Sequence, residues 1–320
     1  MIESMKKKRI MVVMGGSSTE REVSLRSGAA VSRALKEKDY HVEDFDLTAE
    51  NAIEILKKKP DVVFLALHGK GGEDGTIQGM LQLNGIPFTG AGVTCSGICI
   101  NKIMTKHILC ANGIKTPPYL SCNKRLEKDR MRTISKEVLK ELGVPVVVKA
   151  ACQGSSVGVE IVKSAEDILC SIDRVSCYDD EILFEQYIPG VELTVPVFED
   201  NDEIVALPVI EIVSDNSFYD YESKYSSTLS HHIIPARVSA SILQEVTDSA
   251  KKAYLALNCK GLVRIDFLVD KLENAYVIEV NTIPGMTETS LAPDSARAAG
   301  ISFEDLCEKL LLSAMKDNIQ

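Results

Sequence analysis

The stretch IEVNTIPGMTETS at 278–290, read with VRIDF at 263–267, decides how this chain is built. In VRIDF the apolar Val263, Ile265 and Phe267 alternate with Arg264 and Asp266. In the second run Tyr276, Ile278 and Val280 alternate with Glu279 and Asn281. Alternation of period two sends successive side chains to opposite faces of a strand. The connection DKLENA is short and polar, as a hairpin connection is. Paired, the two strands offer one apolar face and one face carrying a cation, two carboxylates and an amide. Carboxylate and amide oxygens are hard ligands suited to Mg2+, which takes phosphate oxygens among its remaining ligands. A nucleoside triphosphate is the partner that fits. The bland alternative is an amphipathic hairpin with its polar face in water. The continuation NTIPGMTETS favours a site, because a loop folding back over ligands uses such a turn and polar cluster.

At 320 residues, with 45% hydrophobic and 26% charged residues, the chain has room for two or three ordinary domains. Its net charge of −10 argues against nucleic-acid binding by phosphate neutralisation. A local cationic pocket for a small anion remains compatible with that charge. No run approaches the ~18 apolar residues of a membrane span. The early run IMVVM is followed by Gly-Gly and reads as a first strand rather than a signal peptide. Cysteines stand at 95, 99, 110, 122, 152, 170, 177, 259 and 307, with no CxxC. Cys95 and Cys99 lack a matching second pair, so a zinc site is not expected. Scattered thiols suit a reducing cytoplasm.

The chain opens with a buried strand at 9–14, then GGSSTEREVS, then a helix to about Glu37. Ser17 and Glu20 have capping-box spacing. Strand, glycine turn and helix N-terminus present backbone N–H groups at the carboxyl edge of a sheet. A parallel neighbour, 61–67, ends in His68 and the loop GKGGEDG. The segment 96–112 has the spacing of one helix, with Lys102 and Lys106 a turn apart on what reads as a solvated face. PVVVKAACQGSSVGVEIVK, 145–163, places Lys149 at the end of a strand before a Gly-Ser loop able to wrap phosphate oxygens. It lacks the G-K-[ST] of a Walker loop. Glu185 and Glu192 flank a Pro-Gly bend, positions from which a carboxylate can reach adenine or ribose. Residues 214–236 form a long polar and aromatic segment that reads as a lid. Helices at about 239–257 and 303–317 complete the pattern.

Taken in order, GGSSTEREVSLRSG, ALHGKGGEDGTIQGMLQLNGIPFTGAG, KAACQGSSVG, YDYESKY, GLVRIDF and IEVNTIPGMTETSLAP resemble the D-alanine–D-alanine ligases of the ATP-grasp superfamily. The resemblance spans the chain. It implies an α/β chain, α+β as a whole, in three domains. Residues 1–92 are expected to form an N-terminal Rossmann-like parallel-sheet domain that binds substrate. Residues 93–184 are expected to form a central ATP-grasp domain with the phosphate loop. Residues 185–320 are expected to form a C-terminal ATP-grasp domain with the metal site and the lid. The implied reaction joins two D-alanines through a D-alanyl phosphate, releasing ADP and phosphate, for peptidoglycan precursors.

The same resemblance implies roles. Asp266, Glu279 and Asn281 hold two Mg2+ ions, with Mn2+ as a substitute. Lys102, Lys149 and Lys224 contact ATP phosphates under the loop of Ser155 and Ser156. Glu185, Gln186, Ile188 and Glu192 take adenine and ribose. Glu20 holds the first D-alanine's ammonium, with His68 near its carboxylate. Arg264 and the Gly285 N–H form an oxyanion hole, and Ser290 with the Leu291 N–H receives the second D-alanine's carboxylate. Tyr225 and Ser155, linked to Glu20, close the lid. A homodimer through the N-terminal domain is implied, with no nucleic-acid or membrane partner. Gln153 stands where many relatives carry an acid, and His231 and His232 lie in the lid. A D-serine acceptor, less readily D-lactate, and a catalytically silent ATP-binding relative therefore stay open beside D-alanine.

Overall fold

The computed structural model describes residues 6–125, 130, 133–155, 157–214 and 230–316. Ser156, Lys224, Tyr225 and most of the expected lid lie outside the described residues.

Three sheets carry the site. The first is parallel, with strand order β2-β1-β3, from β1 (Arg9–Gly15), β2 (His41–Leu47) and β3 (Val62–Leu65). Both of its faces are covered, as a parallel sheet requires. Ile10, Val12 and Met14 pack with α1 (Arg21–Glu37) and the C-terminal helix α10 (Phe303–Lys316). Met11 and Val13 face the other way, toward Ile55 of α2 (Ala52–Lys58) and Ile77 and Leu81 of α3 (Thr76–Leu83). The expected Rossmann-like unit is thus present, and the chain's last helix is part of its core.

The second sheet is antiparallel, with order β4-β7-β5-β6, from β4 (Tyr119–Asn123), β5 (Val146–Ala150), β6 (Val159–Val162) and β7 (Glu181–Gln186). Helices α6 (Ile134–Glu141) and α7 (Asp167–Val175) bury Val138, Ile168 and Ile172 against it. Strand β7 runs across residue 185, where the third domain was expected to start.

The third sheet has order β11-β10-β8-β12-β13, with β9 (Glu203–Ala206) paired to β8 (Gly190–Asp200). Its other members are β10 (Ile210–Ser214), β11 (Ser230–Ile233), β12 (Val263–Asp270) and β13 (Ala275–Asn281). Helix α8 (Ala240–Ala256) packs Ile242, Val246, Ala250 and Ala253 on this sheet, in one core with Val263, Ile265 and Phe267. Cys95, Cys99, Leu109 and Ile114 share that core. Residues 93–114 thus share the core of the third sheet, while Ile103 and Lys106 also meet the second sheet through Leu183 and Glu185.

Two local expectations change. The segment 96–112 is two helices, α4 (Val93–Ile100) and α5 (Lys102–Ala111). Asn101 breaks it, accepting from the N–H groups of Ile103 and Met104 as an N-cap. Periodicity alone does not register such a break. Hairpin β12–β13 forms as expected, yet its second strand buries Ala275, Val277 and Val280, not Tyr276 and Ile278. A bulge opposite Asp266 and Phe267 leaves Ile278 unpaired and shifts the phase by one residue.

Candidate active site

The bulge has a consequence for chemistry. It keeps Glu279 opposite Asp266 and Asn281 opposite Arg264, so the four polar groups meet on one surface. Arg264 donates Nε to Asp266 Oδ1 at 2.9 Å and Nη2 to Oδ2 at 2.8 Å. Asn281 Nδ2 donates to Asp266 Oδ2 at 3.0 Å. Thr194 on β8 adds a 2.5 Å bond from Oγ1 to Oδ1. With its amide nitrogen committed to Asp266, Asn281 has its amide oxygen left as an acceptor. Asp266, Glu279 and Asn281 thus supply oxygen donors of the kind hard divalent cations take. Lys102, at the start of α5, lies 3.8 Å from Glu279 and donates to the Gln153 carbonyl at 2.5 Å. It joins this surface to the Gly-Ser loop. The Gln153 amide donates away from the centre, to the Tyr178 carbonyl at 3.1 Å.

A cleft of about 760 Å3 opens beside this surface. Glu20, His68, Gly154, Ser155, Arg264, Asn281, Gly285, Ser290 and Leu291 line it, so the expected substrate groups are gathered in one place. Glu20 does not close a capping box. Helix α1 has Glu20 at its N-cap without a side-chain cap bond, and Ser18 Oγ rather than Ser17 accepts from the Glu20 N–H. The freed carboxylate is buried and accepts from Ser155 Oγ, which links the Gly-Ser loop to the first domain. Gly69 and Gly154 make room for it, since a Cβ at either would lie 2.9 or 3.0 Å from Glu20 Oε2.

His68 is held as one tautomer. Its Nδ1 meets the Ile283 carbonyl at 3.0 Å and so carries the proton. Nε2 is then the acceptor for Ser27 Oγ at 3.2 Å, and Ser27 in turn accepts from the Met286 N–H. Burial lowers the His68 pKa, which keeps the ring neutral. The chain Met286–Ser27–His68–Ile283 pins the loop after β13 against α1.

Glu73 is a site residue that the reading of the sequence passed over, though an acid inside GKGGEDG was a signal. It accepts from the N–H of Gly69 at 2.7 Å and of Ile283 at 3.1 Å. Burial, with the charge of Glu20 adding to it, pushes its pKa up to about 8. The unfolded chain releases this proton near 4.5. The stability tied to the retained proton is whole below that value, declines as pH rises, and is gone once pH passes about 8. The thermal midpoint of the ligand-free protein should therefore fall between about pH 5 and 8, and Glu73→Gln should flatten that fall. A midpoint profile equally steep in both proteins contradicts the assignment.

Ser290 caps α9 (Leu291–Ala298) from an extended backbone. Its hydroxyl accepts from the Thr287 N–H at 3.1 Å and lies 2.7 Å from Thr287 Oγ1. Thr287 is thus a second residue missed, recognisable only once the turn is folded. A helix N-terminus with a hydroxyl beside it suits a carboxylate. On the same wall His232 Nδ1 lies 2.7 Å from Asp294 Oδ2, and His231 also faces the cleft.

Of the groups expected to meet the nucleotide, Ser155 lines this cleft, and Lys102, Lys149, Glu185, Gln186, Ile188 and Glu192 do not. Glu185 is only 2% exposed and stands between Lys106, at 2.5 Å, and Lys149. Lys106 is 1% exposed, not on a solvated face, and it also donates to Thr116 Oγ1 at 2.5 Å and the Pro117 carbonyl at 3.2 Å. Despite burial, the two lysines hold the Glu185 carboxyl below its ordinary pKa. Glu185 is in this structure the buried anchor of Lys149. Gln186 is exposed, and Ile188 and Glu192 are partly buried.

Known proteins match this chain along nearly its whole length. Residues 45–91 match the family model for the D-ala D-ala ligase N-terminus, and residues 108–312 match that for the C-terminus. A D-alanine--D-alanine ligase of Carboxydothermus hydrogenoformans is 48% identical over 309 residues, covering 96% of this chain and 98% of the relative. The structure of D-alanine--D-alanine ligase from Bacillus anthracis complexed with ATP superimposes with a TM-score of 0.81 at 33% identity, over 98% of this chain and 99% of that one. VanG D-Ala:D-Ser ligase from Enterococcus faecalis gives 0.83 at 29% identity, over 96% and 99%. Matched at both ends and along nearly the whole length of its relative, the chain belongs to the D-alanine–D-alanine ligase family of ATP-grasp enzymes.

Proposed function

We propose that the chain condenses two D-alanines to D-alanyl-D-alanine with ATP, for peptidoglycan precursors. The observation that carries this is the joining of Arg264, Asp266 and Asn281 by hydrogen bonds at the edge of a cleft that also holds Glu20, Ser155 and the α9 N-terminus. The carboxylate of the first D-alanine attacks the γ-phosphorus, the bond to the bridging oxygen breaks, and ADP leaves. The amine of the second D-alanine then attacks the acyl carbon of the D-alanyl phosphate, and the tetrahedral intermediate expels phosphate.

In this scheme Glu20 binds the first ammonium, and neutral His68 sits by the first carboxylate. Ser290 and the Leu291 N–H orient the second carboxylate. Arg264 and the Gly285 N–H face the oxygen that becomes negative in the intermediate. Lys102 and Lys149 bind phosphate oxygens, with Lys149 held by Glu185. Gln186, Ile188 and Glu192 take adenine and ribose. Asp266, Glu279 and Asn281 would hold two Mg2+ ions, or Mn2+, which neutralise phosphate charge when bound. Ser156, Lys224 and Tyr225 complete the phosphate and lid contacts in this reading. The chain then works as three domains, as a homodimer through the first, in the cytoplasm where ATP is supplied. Among the described residues no helix is long and apolar enough to cross a membrane.

A D-serine acceptor is the second reading. His232 and Asp294 on the cleft wall offer polar partners to an added hydroxyl, and a pocket rejects one hydroxyl only weakly. The test is phosphate release with ATP and Mg2+, with products identified while D-alanine, D-serine and D-lactate compete. D-Alanyl-D-alanine as the main product is expected. D-Alanyl-D-serine as the main product supports the second reading, and D-alanyl-D-lactate as the main product, or no D-alanine-dependent release at all, contradicts both.

A further inference from the structure

Away from the cleft, three thiols converge where residues far apart in the chain meet. Cys95 and Cys99 lie one turn apart on α4, and Cys259 lies in the turn that leads from α8 into β12. Cys95 Sγ is 3.8 Å from Cys99 Sγ and 3.5 Å from Cys259 Sγ, and all three sulfurs lie within 4.8 Å of one another. All three are buried in the core beneath the six-stranded sheet. A d10 cation bound at about 2.3 Å from each sulfur sets neighbouring sulfurs about 3.8 Å apart in a tetrahedral arrangement, and about 4.0 Å apart in a trigonal one. The Cys95–Cys99 spacing equals the tetrahedral value, the Cys95–Cys259 spacing is slightly shorter, and the third pair stays within 4.8 Å.

We propose that Cys95, Cys99 and Cys259 form a binding site for a thiophilic divalent cation, of the Zn2+ and Cd2+ class, held by three thiolates. Binding displaces three thiol protons to solvent and leaves the centre with one net negative charge. A monovalent ion would leave two such charges in an apolar core, at greater desolvation cost, so a divalent ion is the better match. The donor set sorts ions by softness. All-sulfur ligation selects against Mg2+, which the oxygen donors Asp266, Glu279 and Asn281 suit. The site joins α4 to the turn just before Arg264, so occupancy braces the strand that carries the active-site cation.

The test uses the full chain with the exposed Cys110, Cys170 and Cys177 replaced by serine. Reduced and anaerobic, with Mg2+ in excess, it is titrated with Cd2+. One equivalent should develop a thiolate-to-cadmium charge-transfer absorption and raise the thermal midpoint. Adding Cys95→Ala should weaken binding by more than about tenfold and remove both signals. X-ray absorption of the cadmium-loaded parent should show three sulfur neighbours, a readout that does not depend on Cys95→Ala folding. An oxygen and nitrogen shell, no charge-transfer band at one equivalent, or a band that survives Cys95→Ala overturns the proposal.

Discussion

Arg264→Ala should lower kcat about 10²–10³-fold, with a much smaller change in ATP affinity. The reason is where the charge appears. In the ground state the guanidinium is bound to Asp266 through Nε and Nη2 at 2.9 and 2.8 Å, and Arg264 lines the cleft together with Gly285 and Asn281. No oxyanion exists until the second amine has added to the acyl carbon. Arg264 therefore acts most strongly on a species later than ATP binding, and its loss appears in turnover. Asp266 keeps Thr194 and Asn281 as partners in the variant, so the carboxylate stays placed for a cation. Steady-state phosphate release set against ATP binding measured by titration separates the two effects. If affinity and turnover fall by equal factors, Arg264 serves the nucleotide instead and the oxyanion role is wrong.

The second large effect concerns stability. Glu185→Ala should destabilise the protein by about 3–5 kcal/mol, because it leaves Lys106 charged and unpaired in the core and strips Lys149 of its anchor. Pairing Glu185→Gln with Lys106→Met should recover a large part of that loss, since removing both charges costs less than stranding one. Denaturant unfolding of the two variants decides the matter. A double variant no more stable than Glu185→Ala would contradict a charge origin for the loss. The pH dependence carries its own sign. The Glu185 carboxyl is held below its ordinary value of 4.5, so its contribution is full above that value and is lost as pH falls through the lower folded pKa. Acid unfolding of the wild-type chain should reflect this group, and Glu185→Gln should lose that part of the acid sensitivity.

Local patterns carried far in this molecule because several elements obey one dominant periodicity. VRIDF reads as a strand since Val263, Ile265 and Phe267 are buried on one side and Arg264 and Asp266 share the other, which is how the strand lies in the sheet. The same logic identified β1, the hairpin β5–β6 and the amphipathic α8 and α10. Where two local signals competed, the reading went astray. Residues 96–112 keep helical spacing through Asn101, whose side chain nevertheless caps a new helix. Ser17 and Glu20 keep capping-box spacing, yet Glu20 gains more as an acceptor for Ser155. Tyr276 and Ile278 alternate correctly, yet the bulge beside Asp266 reverses their sides.

By itself, then, the sequence determined β1, the hairpins β5–β6 and β12–β13 and the helices α8 and α10, that Arg264, Asp266, Glu279 and Asn281 share a polar surface, and to which family the motifs belong. Those features depend on neighbours within a few residues and on one strand pairing. Tertiary structure alone decided that Lys106 turns inward to Glu185, that Glu73 shares a recess with Glu20, and that Cys259 meets Cys95 and Cys99. Each of these joins segments from separate elements. Their charges and thiols are set by what surrounds them after the chain has packed, and no spacing along the chain encodes that surrounding.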